Sequence, residues 1–401
     1  MRKRHIGLLA AMPPLAGLVL LLVHTARVAC VSIPIVDASV DAAEEPTFAI
    51  DREEELGEES GGRVGEDSLV AILLGGQGGH VLAGSFHVHT TASDGRGDLD
   101  DVSRAAARAG LDFLVLGDHN VDPPPAHYRD GVLIVPGVEL STSAGHLLAA
   151  GAERTAGWTL REEDPVGAAR FAGGMAVLAH PVNRRLPWTG DWMSVDGMEV
   201  VSGDSLIREA MARPFVRLLP AVASLPASTT IGWLSIHHRP AEAFESWDAH
   251  PHLVGLCAHD AHGYEGYFGP FQAMQLRVRL SAPLPEDPKS AANKVVKALM
   301  EGRVWCTLGA LADPAGFVLE KSFEPRSLTA ALRYRDWPDS ARPRVLLFRD
   351  GEKVSEGIFE ASVSPASDGL YRAEVFLDLP WIWGRREFLW LFTSTIQIGG
   401  E

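Results

Sequence analysis

Two spacings of apolar residues alternate along the chain from about residue 80 to residue 310. Short apolar runs typical of buried strands are separated by segments in which apolar residues recur at helical spacing. The helix predicted over 99–109 begins among acidic residues and ends at Gly110, and Asp164-Pro165 gives another helix a capping carboxylate and an initial proline. The strand-like runs, in chain order, are FHVH, DFLVLG, GVLIVPGVEL, GHLLAAG, MAVLAHP, DGMEVVSG, LVGLCAHDAHG and RVWCTLG. Because strands that alternate with helices pair in parallel, the pattern predicts an α/β fold with a closed parallel β/α barrel, which we assign to 80–312.

The pattern changes at about residue 313. The segments RPRVLLFRDGEKVSEG, GLYRAEVFLDL and FLWLFTSTIQIGG alternate apolar and polar residues and are separated by turns, without helical spacing. They predict a C-terminal antiparallel β-sandwich-like domain at 313–401. This segment contains no histidine. We therefore expect it to pack against the barrel without supplying metal ligands.

The first 30 residues have the layout of an export segment. A basic start, Met1–His5, precedes an uncharged and mostly apolar run at 6–23. This layout predicts a secretory signal or an N-terminal membrane anchor at 1–30, and hence a periplasmic, secreted or outward-facing membrane-anchored protein. Pro13-Pro14 weakens a membrane-spanning helix, and cleavage, lipidation at Cys30 and retention all stay open. Residues 31–79 are predicted to be a linker, acid-rich between 37 and 67.

Length, charge and cysteine content narrow the class of protein. A chain of 401 residues has room for two domains and at least one large core. Its formal charge of −16 argues against binding of duplex nucleic acid through a basic surface, but it leaves open a small-molecule or nucleotide-like substrate. If Cys30 leaves with the signal, Cys257 and Cys306 remain, which is no disulfide framework. We therefore interpret Cys257 as a small, buried hydrophobic residue.

Ionisable residues follow the apolar part of several predicted strands. The stretch SFHVHTTASDG places two histidines one residue apart, so that a strand would point both imidazoles to one face while the following turn folds the carboxylate back. In a parallel β/α barrel such positions meet at the carboxyl-terminal rim. Burying many ionisable groups together is costly without cations, and imidazole nitrogen with carboxylate oxygen suits divalent metals. The candidate metal ligands are His87, His89, Asp94, His119, Glu139, His146, His180, Asp260 and His262, whereas His127, His250 and His252 are interpreted as packing residues.

The same segments resemble the motifs of the PHP (polymerase and histidinol phosphatase) superfamily. FHVHTTASDG is similar to the first motif, LGDHN to the second, PGVEL to the third, LAHP to the fourth and AHDAHG to the last, in the same order over residues 84–310. With its β-rich tail, the chain looks most like the carbaryl-hydrolase-like (CehA/McbA) metallohydrolases of that superfamily. The resemblance implies a distorted seven-stranded, TIM-barrel-like (β/α)7 barrel that binds two or three divalent ions, either Mn, Zn or Fe.

The resemblance also implies roles for the candidate ligands. One ion would be held by His87, His89, Asp260 and His262. The second would be held by His119 and His180, with Glu139 bridging the two ions. Asp94 matches the third-metal ligand position, which is histidine in other members, and His146 fills the ligand slot between the third and fourth motifs.

Five further polar residues are candidates for contact with a substrate. Arg184 and Arg185 follow the His180-Pro181 turn, and one of them is expected to clamp a phosphate or carboxylate. His259 stands where the superfamily more commonly has a small residue, so it is either a substrate contact or second-layer donor, or a strand residue that faces the other way. His237 and His238 precede another helix. The candidate catalytic residues are Asp94, Arg184 and His259.

These observations predict a metal-dependent hydrolase. A hydroxide bridged by divalent ions would be the nucleophile, so that no serine or cysteine nucleophile is needed. The favoured reaction is phosphoester hydrolysis, by a phosphatase or a nucleotide or oligonucleotide phosphodiesterase. Hydrolysis of a carbamate, carboxylic ester or amide is the alternative, because the same ligands serve both kinds of centre. A non-catalytic metal-dependent binding module is a third possibility, against which the complete ligand set argues.

Overall fold

The computed structural model describes residues 14–31, 36, 39–40, 70–75 and 80–399. The basic start of the chain and most of the acid-rich segment at 37–67 lie outside these residues. Between residues 80 and 307 strands and helices follow one another, and from residue 317 onward the elements are strands. The broad α/β character and the β-rich tail are therefore as the sequence predicts.

The strands are β1 (Ser39–Val40), β2 (Val70–Gly75), β3 (His80–Val88), β4 (Phe113–Leu116), β5 (His127–Arg129), β6 (Val132–Val135), β7 (Gly137–Thr142), β8 (Gly145–Ala150), β9 (Met175–Ala179), β10 (Gly197–Ser202), β11 (Val254–Ala258), β12 (Gln275–Leu280), β13 (Val304–Thr307), β14 (Phe317–Phe323), β15 (Arg326–Leu332), β16 (Tyr334–Asp336), β17 (Arg342–Arg349), β18 (Glu352–Gly357), β19 (Glu360–Val363), β20 (Gly369–Trp381), β21 (Gly384–Thr393) and β22 (Ile396–Ile398).

The helices are α1 (Pro14–Ala29), α2 (Leu99–Arg108), α3 (Trp158–Glu163), α4 (Pro165–Ala172), α5 (Gly203–Ala212), α6 (Leu219–Ser224), α7 (Thr229–Ile236), α8 (Ala241–Asp248), α9 (Phe268–Ala273) and α10 (Pro288–Met300), with a π-helical turn at Pro214–Leu218 and a 3-10 turn at Pro314–Gly316. The predicted carboxylate cap of α4 is confirmed, since Asp164 accepts a hydrogen bond from the Gly167 N–H. Among the described residues, no helix combines the length and the apolar character needed to cross a membrane.

The larger sheet carries the histidine pair near its middle. Its strand order is β18-β17-β20-β21-β13-β12-β3-β4-β6-β5, with β22 beside β20. Helix α2 connects β3 to β4, and these two strands pair in parallel; β4 also pairs in parallel with β6. On its other side β3 is antiparallel to β12, which is antiparallel to β13.

The second sheet has the order β11-β10-β9-β8-β7, and it corrects the prediction of a closed parallel barrel. Strands β9, β10 and β11 are parallel, but β7, β8 and β9 are antiparallel. Only two residues separate β7 from β8, which is too few for the crossover that parallel pairing needs. The two sheets touch through single bridges, Val88 with Ala261 and His119 with Glu139. Within the described residues the ligand-bearing strands therefore lie in two separate sheets, which meet at the strand ends and do not close into a barrel.

The C-terminal strands are antiparallel, as predicted, but one of their sheets is shared with the preceding segment. Strands β2, β14, β15 and β19 form a separate sheet. Strands β17, β20 and β21 extend the larger sheet, because β21 pairs with β13 at residues 305–307. Hydrogen bonding of that sheet thus crosses the predicted boundary at 312–313. Residues 70–75, predicted as part of the linker, form β2 and pair with β14.

Cys257 is not merely a small buried hydrophobic residue. It forms a disulfide with Cys306, 49 positions away, whereas Cys30 is free and exposed. The two Cα atoms are 5.8 Å apart, within the range that a disulfide spans. The sequence separation gave no sign of this pairing, because only the packing of β11 next to β13 brings the two thiols together.

Candidate metal centre

The two histidines of the first motif converge at the end of β3. The side chains of His87 and His89 are completely buried, and their Nε2 atoms lie 3.0 Å apart. His87 has a φ of +65°, and the register of β3 on β4 shifts between Phe86 and Val88. This local bulge, and not simple alternation along a regular strand, aims the imidazole of His87 into the cluster.

Two other cluster residues also lie in the left-handed backbone region. His180 follows β9 with a φ of +37°, and Asp260 lies two residues after β11 with a φ of +49°. A non-glycine residue in this region costs on the order of 1 kcal/mol, and such positions collect at functional sites. The strand ends are therefore shaped to present these side chains to one another.

Glu139 in β7 is the centre of the cluster. Its carboxylate is buried, and each oxygen faces a different group of imidazoles. Oε1 lies 2.8 Å from His146 Nδ1 and 3.2 Å from His180 Nε2. Oε2 lies 3.2 Å from His87 Nε2, 3.3 Å from His89 Nε2 and 3.2 Å from His119 Nδ1. A carboxylate placed in this way can bridge two cations.

Asp260 closes the inner side of the cluster. Its Oδ1 lies 3.0 Å from His89 Nε2 and 3.6 Å from His87 Nε2. Ligand atoms of these three residues and Glu139 all lie within 4.8 Å of one another. His262 is also near, with its Nδ1 3.7 Å from the same oxygen.

Asp94 forms a second, more open group on the outer side. Its half-exposed carboxylate lies 3.4 Å from His89 Nδ1, 3.3 Å from His262 Nε2 and 3.8 Å from His119 Nε2. Ligand atoms of these four residues again lie within 4.8 Å of one another. A third group of this kind consists of His119, Glu139 and His146. All nine candidate ligands are thus brought together, and the three groups share His89, His119 or Glu139.

Mutual interaction strongly shifts the pKa values of five buried residues of the cluster. Burial alone would lower the pKa of His87, His89 and His180, but the neighbouring carboxylates outweigh it. They raise the pKa of His87 well above its ordinary value, and those of His89 and His180 to about 9. Burial likewise opposes ionisation of Glu139 and Asp260, yet the histidines hold the pKa of both carboxyls well below their ordinary range. Protons on the histidines therefore balance the negative charge of the carboxylates, and bound divalent cations would replace these protons.

Glu199, which sequence reasoning did not single out, supports the cluster from behind. Its buried carboxylate accepts a hydrogen bond from His87 Nδ1 at 2.6 Å and another from the backbone N–H of His180 at 2.8 Å. The first bond leaves His87 Nε2 free to act as a ligand. A signal was available in the sequence, since Glu199 is the one charged residue within the apolar strand GMEVVS.

Asp118 fixes the turn that carries Asp94. It accepts hydrogen bonds from the Thr90 N–H at 2.8 Å, the Thr90 hydroxyl at 2.8 Å and the Ser93 hydroxyl at 2.7 Å. Asp118 is buried, whereas His119 and Asn120, which follow it in the LGDHN motif, are partly buried. The turn is therefore held in place before any cation binds.

The structure does not bring His259 to the cluster. Its side chain is buried, with Nδ1 2.8 Å from the Ser85 hydroxyl and Nε2 donating to the Pro270 carbonyl at 3.0 Å. Burial lowers its pKa to about 4, so the ring is neutral. Both ring nitrogens are thus engaged away from the cluster, directly after the end of β11. This placement favours the alternative of a residue that faces the other way, and the catalytic role of His259 stays a prediction.

His237 and His238 also lie outside the cluster. His237 Nδ1 donates to the Trp233 carbonyl, and burial lowers the pKa of this histidine to about 3. His238 pairs with Glu209 at 2.9 Å. Their position offers no support for contact with a substrate at the cluster.

A cavity of about 640 Å³ adjoins the cluster. Its lining includes His180, Glu199, Arg184, Arg185, Ser202 and Arg213. Arg184 and Arg185 are exposed and form no ion pair with another described residue. The Ser202 hydroxyl is buried and has no hydrogen-bond partner in the described part of the chain. Arg184, predicted as a clamp, is thus on the wall of a space that reaches the candidate ligand His180.

No protein-family profile matches the chain, and no curated protein sequence is significantly similar to it. Several solved structures show distant similarity to the chain, among them the following two. One is a two-domain protein from Bacteroides vulgatus that contains a predicted PHP-like metal-dependent phosphoesterase, at 16% identity and a TM-score of 0.41, covering 84% of this chain and 100% of the other. The second is an amidohydrolase from Chromobacterium violaceum with bound sulfate and no metal, at 17% identity and a TM-score of 0.27, covering 45% of this chain and 87% of the other. Similarity at this level does not establish a shared activity.

Proposed function

We propose that this protein is a metal-dependent hydrolase of the PHP type that holds two or three divalent ions. The observation that carries the proposal is the placement of Glu139. Its two oxygens face separate groups of histidines, and Asp260 and Asp94 lie on the inner and outer sides of the same cluster. A set of imidazole nitrogens and carboxylate oxygens matches Mn, Zn or Fe.

The nitrogen and oxygen atoms of the cluster lie as close together as ligands around a shared cation. Two ring nitrogens, Nε2 of His87 and Nε2 of His89, face each other at 3.0 Å while carboxylate oxygens surround both. Lone pairs that converge in this way repel unless a proton or a cation lies between them. Divalent ions held here would supply Lewis acidity toward a substrate and would acidify water near neutral pH.

The residues of the chain itself favour a phosphoester as substrate. Arg184 and Arg185 present guanidinium groups that have no partner carboxylate among the described residues, on the wall of the cavity that His180 also lines. A guanidinium binds phosphate oxygens in a bidentate manner and holds the group against the cluster. Asp94, the half-exposed carboxylate of the cluster, is placed to accept a proton. A carbamate, carboxylic ester or amide has a neutral carbonyl group, which has less need of the guanidinium groups of Arg184 and Arg185.

The test is a substrate panel with metal-reconstituted full-length protein. The chelated protein is assayed with Mn²⁺, Zn²⁺ or Fe²⁺ on 4-nitrophenyl phosphate, bis(4-nitrophenyl) phosphate and 4-nitrophenyl acetate. We expect metal-dependent turnover of a phosphoester, at least two metal equivalents per chain, and loss of both in Glu139→Gln. The matched control, Glu163→Gln, exchanges an exposed glutamate at the end of α3. Turnover of the acetate alone would reassign the chemistry to carbonyl centres, and metal binding without any turnover would favour a binding module.

A further inference from the structure

Helix α1 and the segment around residues 211–222 together expose an unusual number of large apolar side chains. Four consecutive residues of α1, from Leu20 to Val23, are 40–59% exposed. In the second segment Phe215 and Val216 are 65% and 76% exposed. We call the following set the docking surface: Leu20, Leu21, Leu22, Val23, Met211, Phe215, Val216, Leu219, Val222 and Trp383.

These residues come from three parts of the chain, and polar contacts hold the parts together. The buried His24 Nε2 lies 2.9 Å from the Ser224 hydroxyl and 3.1 Å from the Pro220 carbonyl, which joins α1 to α6. On its other nitrogen, His24 accepts from the Trp383 Nε1–H at 3.0 Å. Arg27 lies over the Trp383 ring at 4.4 Å and donates to the Ile382 carbonyl. The three parts of the chain that carry the docking surface are therefore packed against one another.

The exposure along α1 shows what kind of partner this surface fits. Four consecutive helical residues cover a full turn, so α1 has a partly exposed apolar side chain on every side between Leu20 and Val23. Further along, His24 and Val28 are buried against the protein. A groove on a protein partner covers one face of a helix, whereas a lipid phase surrounds it.

The sequence before α1 and the residues at the edge of the surface agree with a lipid partner. Residues 6–13 continue the uncharged, mostly apolar run, and Met1–His5 is basic. Trp383 has a large apolar ring whose Nε1–H donates a hydrogen bond, and tryptophan residues of this kind are common at membrane interfaces. Ten large apolar side chains of the docking surface are exposed to water, and a group of exposed apolar residues of this kind marks an interaction surface.

We propose that the docking surface rests on a lipid bilayer, so that the folded protein lies against a membrane through residues 211–222 and Trp383 and is not merely tethered by its N-terminus. Burying two exposed side chains such as Phe215 and Val216 in lipid strengthens binding by about tenfold or more.

The experiment uses full-length protein and sedimentation with vesicles of phosphatidylcholine, with and without phosphatidylglycerol. We expect binding to both, with a loss of about tenfold or more in Phe215→Ser/Val216→Ser. The control, Phe323→Ser/Ile358→Ser, removes an exposed phenylalanine and an exposed aliphatic residue from β14 and the turn after β18 and should bind like the unaltered protein. Circular dichroism checks that both variants fold.

Contact with lipid is measured separately through tryptophan fluorescence. Vesicles with brominated phosphatidylcholine should quench part of the emission, and Trp383→Phe should abolish that part. Binding that is unchanged in Phe215→Ser/Val216→Ser, or quenching that does not depend on Trp383, would overturn the proposal and leave a tether through the N-terminal segment. A concentration-dependent dimer that ignores vesicles would also overturn it, in favour of a second copy of the chain.

Discussion

Glu199 determines which nitrogen of His87 is available to a cation. The carboxylate of Glu199 accepts a hydrogen bond from His87 Nδ1, and His87 Nε2 faces Glu139 and Asp260. The same carboxylate fixes the backbone of His180. A single residue behind the cluster therefore orients two candidate ligands from different strands, β3 and β9.

We expect Glu199→Gln to lower metal affinity and turnover by about 10- to 100-fold, the usual effect of losing such a support. Glutamine can still accept one hydrogen bond, but its amide NH2 cannot accept from His87 Nδ1 or from His180. Equilibrium metal binding with a competing chelator gives the affinity. The same exchange at Glu245, an exposed residue of α8, should have no effect. Equal affinity in Glu199→Gln and the unaltered protein would remove Glu199 from this role.

The pKa shifts predict how the stability of the chelated protein depends on pH. The pKa values of His89 and His180 are raised from 6.5 to about 9, so their contribution is complete below pH 6.5 and is lost as the pH rises through 9. The pKa values of Glu139 and Asp260 are lowered, so their contribution is present above the ordinary carboxyl range and is lost in acid. We expect maximal stability near pH 5–6, and a loss on the order of 3 kcal/mol for each of the two histidines between pH 6 and pH 9.

Urea unfolding at pH 6 and pH 9 measures this loss. Protein saturated with Zn²⁺ or Mn²⁺ should behave in the opposite way, because cations need neutral imidazoles and therefore bind more tightly as the pH rises. Chelated protein that is equally stable at both pH values would contradict the charge arrangement described here.

At the scale of elements, the segment after β3 connects the inner and outer parts of the cluster. The Tyr267 hydroxyl donates to the His89 carbonyl at 3.0 Å and accepts from the Gly97 N–H at 3.1 Å, so it closes the segment from both ends. The Arg96 N–H also donates to the His262 carbonyl at 2.8 Å. These bonds fix where Asp94 lies relative to His262.

Removing the hydroxyl in Tyr267→Phe should loosen the outer group while the inner group, around Glu139 and Asp260, stays intact. We expect the protein to lose about 1 kcal/mol of stability and to bind one metal equivalent fewer or more weakly. Tyr128→Phe removes a hydroxyl that bonds the Pro285 carbonyl at the surface and serves as the control. Metal titration followed by elemental analysis distinguishes the two variants. Unchanged stoichiometry and affinity in Tyr267→Phe would show that the Tyr267 hydroxyl does not position the outer group.

At the scale of the whole molecule, the C-terminal strands are joined to the ligand-bearing part by a buried ion-pair network as well as by the shared sheet. Glu374 in β20 is fully buried and accepts from Arg239 Nε at 2.7 Å and from Arg372 Nη2 at 3.0 Å. Arg372 also pairs with Asp248 at the end of α8. Residues from both sides of the predicted domain boundary thus depend on one carboxylate.

Glu374→Ala removes this partner from the buried Arg372 and from the partly buried Arg239, and it should cost about 3–5 kcal/mol. Because the larger sheet is continuous through β13 and β21, we expect one unfolding transition, shifted as a whole, and not two. Differential scanning calorimetry reports both quantities. Glu387→Ala removes an exposed partner of Arg344 and should change stability by less than about 0.5 kcal/mol. A separate early transition of the C-terminal strands would show that the two parts fold independently.

The sequence by itself identified the nine candidate ligands and the order in which they occur. Strand-like runs that end in His119, Glu139, His180 or Asp260 are local patterns, and a buried group of ionisable residues has few explanations other than cations. The antiparallel tail was likewise readable, because alternation is a property of neighbouring residues. The nine candidate ligands do meet in space, as these patterns predicted.

Only the tertiary structure decided the features that depend on contacts between distant residues. Glu199 supports His87 across 112 positions, and Cys257 meets Cys306 across 49. The closed parallel barrel gave way to two sheets because a two-residue connection between β7 and β8 enforces antiparallel pairing. His259 faces away from the cluster because Ser85 and the Pro270 carbonyl, 174 and 11 positions away, engage its two ring nitrogens, and no pattern of polar and apolar residues reveals such contacts.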